Sequence, residues 1–523
     1  MSKKQKTTNF KHSSTNQASS ASNNFFNIYG LDLRSIAFFR IALGLNIILN
    51  ILQYRLFNIS AFYGPDAIVP IEHIRSFYGE NFSLLFSIEN ETLILVYFLI
   101  TLFLAILYTL GIKSRWLSCP LLLLFAGIVN RNPMASHGVE FLIEISLFWG
   151  IFLPLDNSYS LAPDGRDHPS EVRGLLIRGI LFQIALVYFT SFITKTGDLW
   201  TSGLAVYSLT ADLTHANFLS SVLANLPGVS KFLTYFSLII ELALPFLIFI
   251  PFFSRSARTI AAFLIVFLHF GLASTIYVGP FHFITFCFAI LLLPDSFWNK
   301  LKITKDKNFG RLKIGTWQLS DKLPTNLQTI GLRITQVFVV IMMVVIFQRN
   351  FQKWGQESFL SDGINLSSGL ENIAEARPLD FNLVTGVFRQ PWWLFAPNPH
   401  KDMGTMVLLG RTQKNETIDI INNQILTVST DPEYNVPVFD KSIQNNFRNA
   451  RFTLSFYARK YVKRLPVELY KRWTEYEYQR WISAHPDQPL LELSLYYYAI
   501  PTRVENDKIV REKGFLPLYR MEI

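Results

Sequence analysis

Charge is scarce in this chain. Only 16% of its 523 residues are Asp, Glu, Lys or Arg, against roughly 25% in a soluble domain. The shortfall is uneven, because charges vanish from long apolar runs and gather between them. Hydrocarbon as the solvent explains that better than one large water-soluble core. Cysteine is nearly absent too. Cys119 and Cys287 both lie in apolar runs, which excludes a disulfide framework and leaves the redox compartment open. The sequence has no G-x-x-x-x-G-K-[ST], no H-E-x-x-H and no paired-cysteine motif. His12, His73, His168, His215, His400 and His485 are too scattered to suggest a metal site. Residues 1–27 have neither the apolar core nor the cleavage site of a signal peptide, and their Ser, Asn and Lys content reads as a disordered tail. No internal repeat stands out, so transport rests only on the buried charges.

What is present is a series of nine apolar runs, at 36–56, 92–112, 116–129, 139–155, 175–194, 232–253, 259–276, 281–294 and 331–347. Crossing hydrocarbon takes about 20 such residues in a helix, so the third and eighth are short. The expectation is an all-α polytopic membrane domain of eight to nine transmembrane helices with a small C-terminal α+β extramembrane domain. It divides into a cytoplasmic tail (1–27), a membrane domain (28–294), a basic cytoplasmic loop (295–330), a final transmembrane helix (331–347), a linker (348–389) and an outward-facing α+β domain (390–523). The net charge of +10 sits mainly in short loops beside the apolar runs, among them Lys113, Arg115, Arg255, Arg258 and the stretch from Lys300 to Lys322. This is a topology signal rather than a nucleic-acid footprint. It places the N-terminus in the cytoplasm and the C-terminal domain on the outer, periplasmic or luminal, side, with the bilayer as partner.

From about residue 390 the material changes. Alternating runs at 405–411 and 491–500 read as strands, and 446–483 reads as a basic helix. Trp392, Trp393, Phe395, Trp473, Tyr476, Tyr478 and Trp481 suit either packing on the membrane domain and lipid interface or an ordinary aromatic core.

Ionisable residues inside spans mark a function or an internal pairing. They are Arg40, Glu140, Glu144, Arg178, Glu241, His269 and His282. The structural alternative pairs Arg40 or Arg178 with Glu241 or Glu144. Lys195 closes the fifth run in Tyr188-Phe-Thr-Ser-Phe-Ile-Thr-Lys195-Thr-Gly-Asp198-Leu-Trp200. A lysine there can snorkel to the headgroups. Held in an apolar cavity, its amine is instead a candidate base. His137, in the loop before the fourth run, can orient a substrate or shuttle a proton, or can serve as an ordinary loop histidine.

Three segments carry a resemblance. Asp32-Leu-Arg-Ser-Ile-Ala-Phe-Phe-Arg40-Ile-Ala-Leu-Gly44, then Asn132-Pro133, then Tyr188…Lys195…Asp198…Trp200…Gly203…Tyr207 resemble, in order and spacing, the HTTM domain. This is the membrane domain shared with vitamin K-dependent γ-glutamyl carboxylase, and the similarity covers 31–294. In that family a lysine five residues before a tryptophan deprotonates reduced vitamin K. Oxygen then adds, and the strong base so formed removes a glutamate γ-proton before carbon dioxide is captured. The resemblance therefore implies Lys195 as catalytic base and His137 as its assistant. Trp200, Arg40, Glu241 and Tyr188 become substrate-binding or cavity-lining candidates. Reduced vitamin K or another quinol is implied as cofactor, no metal, and a protein or peptide substrate at the outer face. This chain departs from the carboxylase at Thr194, where the family has a second lysine, and at Ala135 and Ser136, where it has two asparagines. Gln390-Pro-Trp-Trp-Leu-Phe-Ala-Pro-Asn-Pro399 instead resembles the Trp-x-x-Phe-x-Pro motif of bacterial HTTM proteins. The functional expectation is a carboxylase-like, quinol-dependent lyase. The alternative is a non-catalytic membrane-anchoring or lipid-binding protein.

Overall fold

The computed structural model describes residues 29–78, 82–136, 138–163, 170–211, 217–276, 278–304, 325–352, 394–399, 404–421, 424–425, 466–499, 502–505, 508–511 and 514–523. The tail 1–27, most of the linker 348–389 and much of the basic loop 295–330 lie outside them, as do His137, His168, Trp392 and Trp393.

Helices dominate up to residue 352. The longer ones are α1 (Leu33–Tyr54), α2 (Glu91–Thr109), α3 (Ser114–Arg131), α4 (Gly138–Gly150), α5 (Leu175–Ile193), α6 (Pro227–Phe249), α7 (Ser254–Thr275), α8 (Phe281–Leu292) and α9 (Thr325–Gln352). The start of α1 is fixed by its cap. The Asp32 carboxylate accepts the Arg34 backbone N–H at 2.8 Å, satisfying a donor the helix cannot. It also grips the Arg34 guanidinium at 2.8 and 2.9 Å. The same guanidinium reaches Asn299 Oδ1 and Ile303 O, tying the segment after α8 to the start of α1. The strand β1 (Gly30–Asp32) pairs antiparallel with β2 (Glu171–Arg173), which ties the lead-in to α1 to the lead-in to α5.

Among the described residues, five segments are long and apolar enough to cross a membrane: Leu33–Phe62, Glu91–Leu110, Leu175–Ile193, Pro227–Phe249 and Ser254–Thr275. Their outer faces confirm the solvent. Leu93, Leu95, Leu99, Ile100 and Phe103 of α2, and Ile260, Phe263, Phe267 and Phe270 of α7, are all exposed. In water such a patch would have no counterpart, whereas in lipid it is the natural outer surface. The chain is an integral membrane protein. Phe281–Leu292 and Arg333–Val344 are shorter apolar helical stretches.

The run at 139–155 behaves differently from a simple span. Its helix α4 has 13 residues, about 20 Å of rise, and nearly all of its side chains are buried. Other helices surround it. An apolar run reads alike whether lipid or protein surrounds it, so the sequence could not separate the two. Glu140 on this helix accepts from Arg55 Nη2 at 3.0 Å and Asn50 Nδ2 at 2.7 Å. Arg55 also donates to Asn50 Oδ1 at 2.7 Å and to the Tyr63 hydroxyl. This buried network joins the end of α1 to α4.

Close helix crossings need small residues. At Gly44 an added Cβ would overlap Thr109 Oγ1 and lie 3.1 Å from Thr109 Cα. Gly44→Ala is expected to destabilise the α1–α2 crossing by about 1–3 kcal/mol. Gly228→Ala, with nothing within 4 Å of the new Cβ, is the control that should show no loss. Thermal unfolding in detergent compares them, and equal midpoints would refute the crossing argument.

The C-terminal unit is a five-stranded antiparallel sheet in the order β5-β4-β3-β6-β9. Its strands are β3 (Gly404–Thr412), β4 (Thr417–Asp419), β5 (Gln424–Ile425), β6 (Leu490–Ala499) and β9 (Gly514–Glu522), with a separate hairpin of β7 (Thr502–Glu505) and β8 (Lys508–Arg511). Along β6, Leu493, Leu495 and Tyr497 are buried while Glu492, Ser494 and Tyr496 are less so, the alternation of a half-buried strand. Helix α10 (Val467–Ala484) contributes Leu469, Tyr470, Trp473 and Trp481 to the core. Of the two readings of the aromatic residues, Trp473 and Trp481 therefore follow the core one.

Candidate functional site

Tyr188, Ser191 and Lys195 are spaced i, i+3 and i+7, which puts them on one helical face. Helix α5 ends at Ile193, and the next turn is closed by Lys195 N–H donating to Phe192 O at 3.2 Å. The Lys195 side chain turns back along that face. Its Nζ donates to Ser191 Oγ at 2.8 Å and to both carboxylate oxygens of Glu241 on α6, Oε2 at 2.6 Å. Ser191 Oγ in turn donates to Glu241 Oε1 at 3.1 Å. On the other side, Nζ lies 4.9 Å from the centre of the Trp200 ring, within cation–π range. Lys195 is 9% exposed and Glu241 7%, so this amine does not reach out to water or headgroups. Burial pushes the Lys195 ammonium below the ordinary lysine pKa, and the Glu241 carboxylate opposes that shift.

This pair lies on the wall of a cavity of about 410 Å³ between α5, α6, α7 and the segment after Lys195. The lining is mostly Leu, Ile, Val and Phe. Its small polar side chains are already engaged. Ser237, Ser274, Thr275 and Thr285 each donate to a backbone carbonyl three or four residues back, and Trp200 Nε1 donates to Phe395 O at 2.8 Å. Two polar groupings remain for a ligand. One is Lys195–Glu241–Ser191. The other is the Tyr188 hydroxyl with His269 Nε2, 3.2 Å apart. They sit about one helical turn apart on α5, roughly 5 Å of rise. An apolar chamber with a few convergent polar atoms suits a lipid-soluble ligand with oxygen substituents. Among the described residues, no group of three or more His, Cys, Asp or Glu could hold a metal.

Residues 394–399 complete the wall, and they come from beyond α9. Leu394 and Phe395 line the cavity. Pro397 O accepts from Gly197 N–H at 3.0 Å, and Asn398 Oδ1 accepts from Leu199 N–H at 2.9 Å. Asn398 Nδ2 donates to Asp198 Oδ1.

Of the residues singled out in the sequence, Lys195, Trp200, Tyr188 and Glu241 share this cavity. Arg40 does not line it. It is buried, with Nη1 on Leu155 O at 2.7 Å and Nη2 on Tyr159 O. His137 falls outside the described residues. The pairing of Glu241 with Arg40 or Arg178 gives way to the Lys195 pair. Ser191 and the role of His269 went unread. The four-residue spacing from Ser191 to Lys195 could have flagged the serine, but nothing local marks His269 as the partner of Tyr188.

The HTTM domain family model matches residues 30–298, just over half of the chain and nearly the stretch that carries the sequence resemblance. No curated protein and no solved structure matches.

Proposed function

The chain belongs to the HTTM domain family, and from that premise we propose that it is an integral-membrane enzyme in which Lys195 removes a proton from a reduced quinone or another lipid-soluble hydroxyl compound. The family's domain is related to the membrane domain of the carboxylase. The observation that carries the proposal is a buried amine, gripped by Glu241, on the wall of an apolar cavity.

The proton movements balance within this chain. Desolvation disfavours separated charges. Passing one proton from the Lys195 ammonium to Glu241 leaves an amine beside a neutral carboxylic acid. The amine would then take a hydroxyl proton from a bound ligand and return to an ammonium, whose charge would favour the ligand oxygen beside it in a low dielectric. Tyr188 and His269 would offer a second polar contact to such a ligand, and the apolar walls keep water out. A cavity of this size falls within the range of small-molecule sites, about 300–1,000 Å³. When bound, a reduced quinone supplies the electrons and the acidic hydroxyl. Residues 394–399 follow α9 yet touch the turn after α5, so the two lie together, and the basic loops favour the outer side for both with the N-terminus cytoplasmic.

The test is incubation of the purified protein with reduced vitamin K or menaquinol, oxygen and labelled bicarbonate. Quinol consumption reports the deprotonation, and label incorporation into a glutamate-containing peptide reports carboxylation. Tight quinol binding without consumption in the wild type would favour the lipid-binding alternative and remove the base role.

A further inference from the structure

We propose that residues 394–399 are a functional wall of the membrane cavity, and that Asn398 is the positioning residue that holds them against Lys195 and Trp200. This inference holds whichever ligand the cavity takes. It concerns a segment outside the stretch 30–298 that the family domain covers.

The contacts all fall on four consecutive residues. Gly197 N–H meets Pro397 O, Asp198 meets the Asn398 amide, Leu199 N–H meets Asn398 Oδ1, and Trp200 Nε1 meets Phe395 O. Asn398 makes two of the four with opposite ends of one amide, as donor to a carboxylate and acceptor from a backbone N–H. Such an amide fits one orientation only. The approach is very close. A Cβ added at Gly197 would fall onto the Asn398 side chain, so glycine is what permits the amide to seat. The result reaches the amine in three steps. Asn398 fixes the 394–399 backbone, the Phe395 carbonyl fixes the Trp200 indole, and the indole ring covers Lys195 Nζ. With Leu394 and Phe395 on the same wall, release of the segment uncovers Lys195 and widens the chamber.

Reactivity of the Lys195 amine tests this in the full-length protein without any assumption about turnover. The probe is an apolar N-hydroxysuccinimide ester, with acylation of each lysine read by peptide mass spectrometry. Lys471 on α10, about half-exposed, is the internal reference. In the wild type Lys195 reacts far more slowly than Lys471. Asn398→Asp sets two carboxylates against each other and is expected to raise the Lys195 rate about tenfold, the equivalent of one lost charge-assisted hydrogen bond. Asp198→Asn combined with Asn398→Asp restores a donor–acceptor pair in reverse and returns the slow rate, a rescue that general loosening cannot produce. Gly197→Ala, which alters neither partner, raises the rate as Asn398→Asp does. Asn398→Ala, adding no charge, is read alongside in case Asn398→Asp fails to fold. If the Asn398 single variants leave Lys195 within twofold of the wild type, or the combined variant fails to slow it again, the positioning role is overturned. Failure of quinol turnover with this labelling pattern intact would count against the chemistry alone.

Discussion

Lys195→Ala lowers quinol-dependent turnover by about 10²–10⁴-fold, the range a positioned general base supplies. Binding suffers less, because the apolar wall, not the amine, contributes most of the contact with a lipid-soluble ligand. The loss therefore shows in kcat more than in KM. Lys195→Arg does not rescue it, since a guanidinium keeps its proton and cannot become a base. Glu241→Gln keeps the hydrogen-bonding shape but removes the carboxylate that takes the proton from Lys195, and turnover falls with it. Stopped-flow oxidation of the quinol reads both losses. Wild-type turnover in Lys195→Ala would remove the lysine from the mechanism.

Glu140→Ala destabilises the membrane domain by about 3–5 kcal/mol, because it strands the Arg55 guanidinium in the interior without its carboxylate. Arg55 and Glu140 are both essentially inaccessible, and Asn50 and Tyr63 complete the network but cannot neutralise the charge. Removing both charges is a different experiment. Arg55→Met combined with Glu140→Leu substitutes apolar volume for the pair and recovers most of the loss, since the desolvation penalty disappears with the charges. Unfolding midpoints in detergent distinguish the two. A double variant no better than Glu140→Ala would mean that the network stabilises by shape and hydrogen bonding rather than by charge balance.

The parts of this molecule that the sequence reveals are those with a local or periodic signature. Apolar runs mark the helices, and alternation marks β3 and β6. The lysine–tryptophan spacing locates the cavity, and Tyr188 falls on the correct face because helical periodicity puts it there. What stays hidden is pairing at a distance. Glu241 stands 46 residues from Lys195, and no pattern in either segment distinguishes it from Glu140 or Glu144 as the partner. Nor does the composition of α4 say that neighbouring helices, rather than lipid, surround it. The Trp-x-x-Phe-x-Pro segment was legible as a motif but not as a wall. Its role depends on three-dimensional return of the chain to a turn it left some two hundred residues earlier.

That return has a consequence in time. Asp198 and Asn398 are 200 residues apart, and ribosomes add roughly 5–20 residues per second. The last helix lining the chamber, α8, ends at Leu292, so for roughly 5–20 seconds during synthesis every helix of the chamber can be inserted while one side of it still lacks protein. The nascent amine is shut in only when nearly the last quarter of the chain remains to be made. A product that stops before residue 394 would thus leave the membrane domain inserted, complete in its helices and open at Lys195.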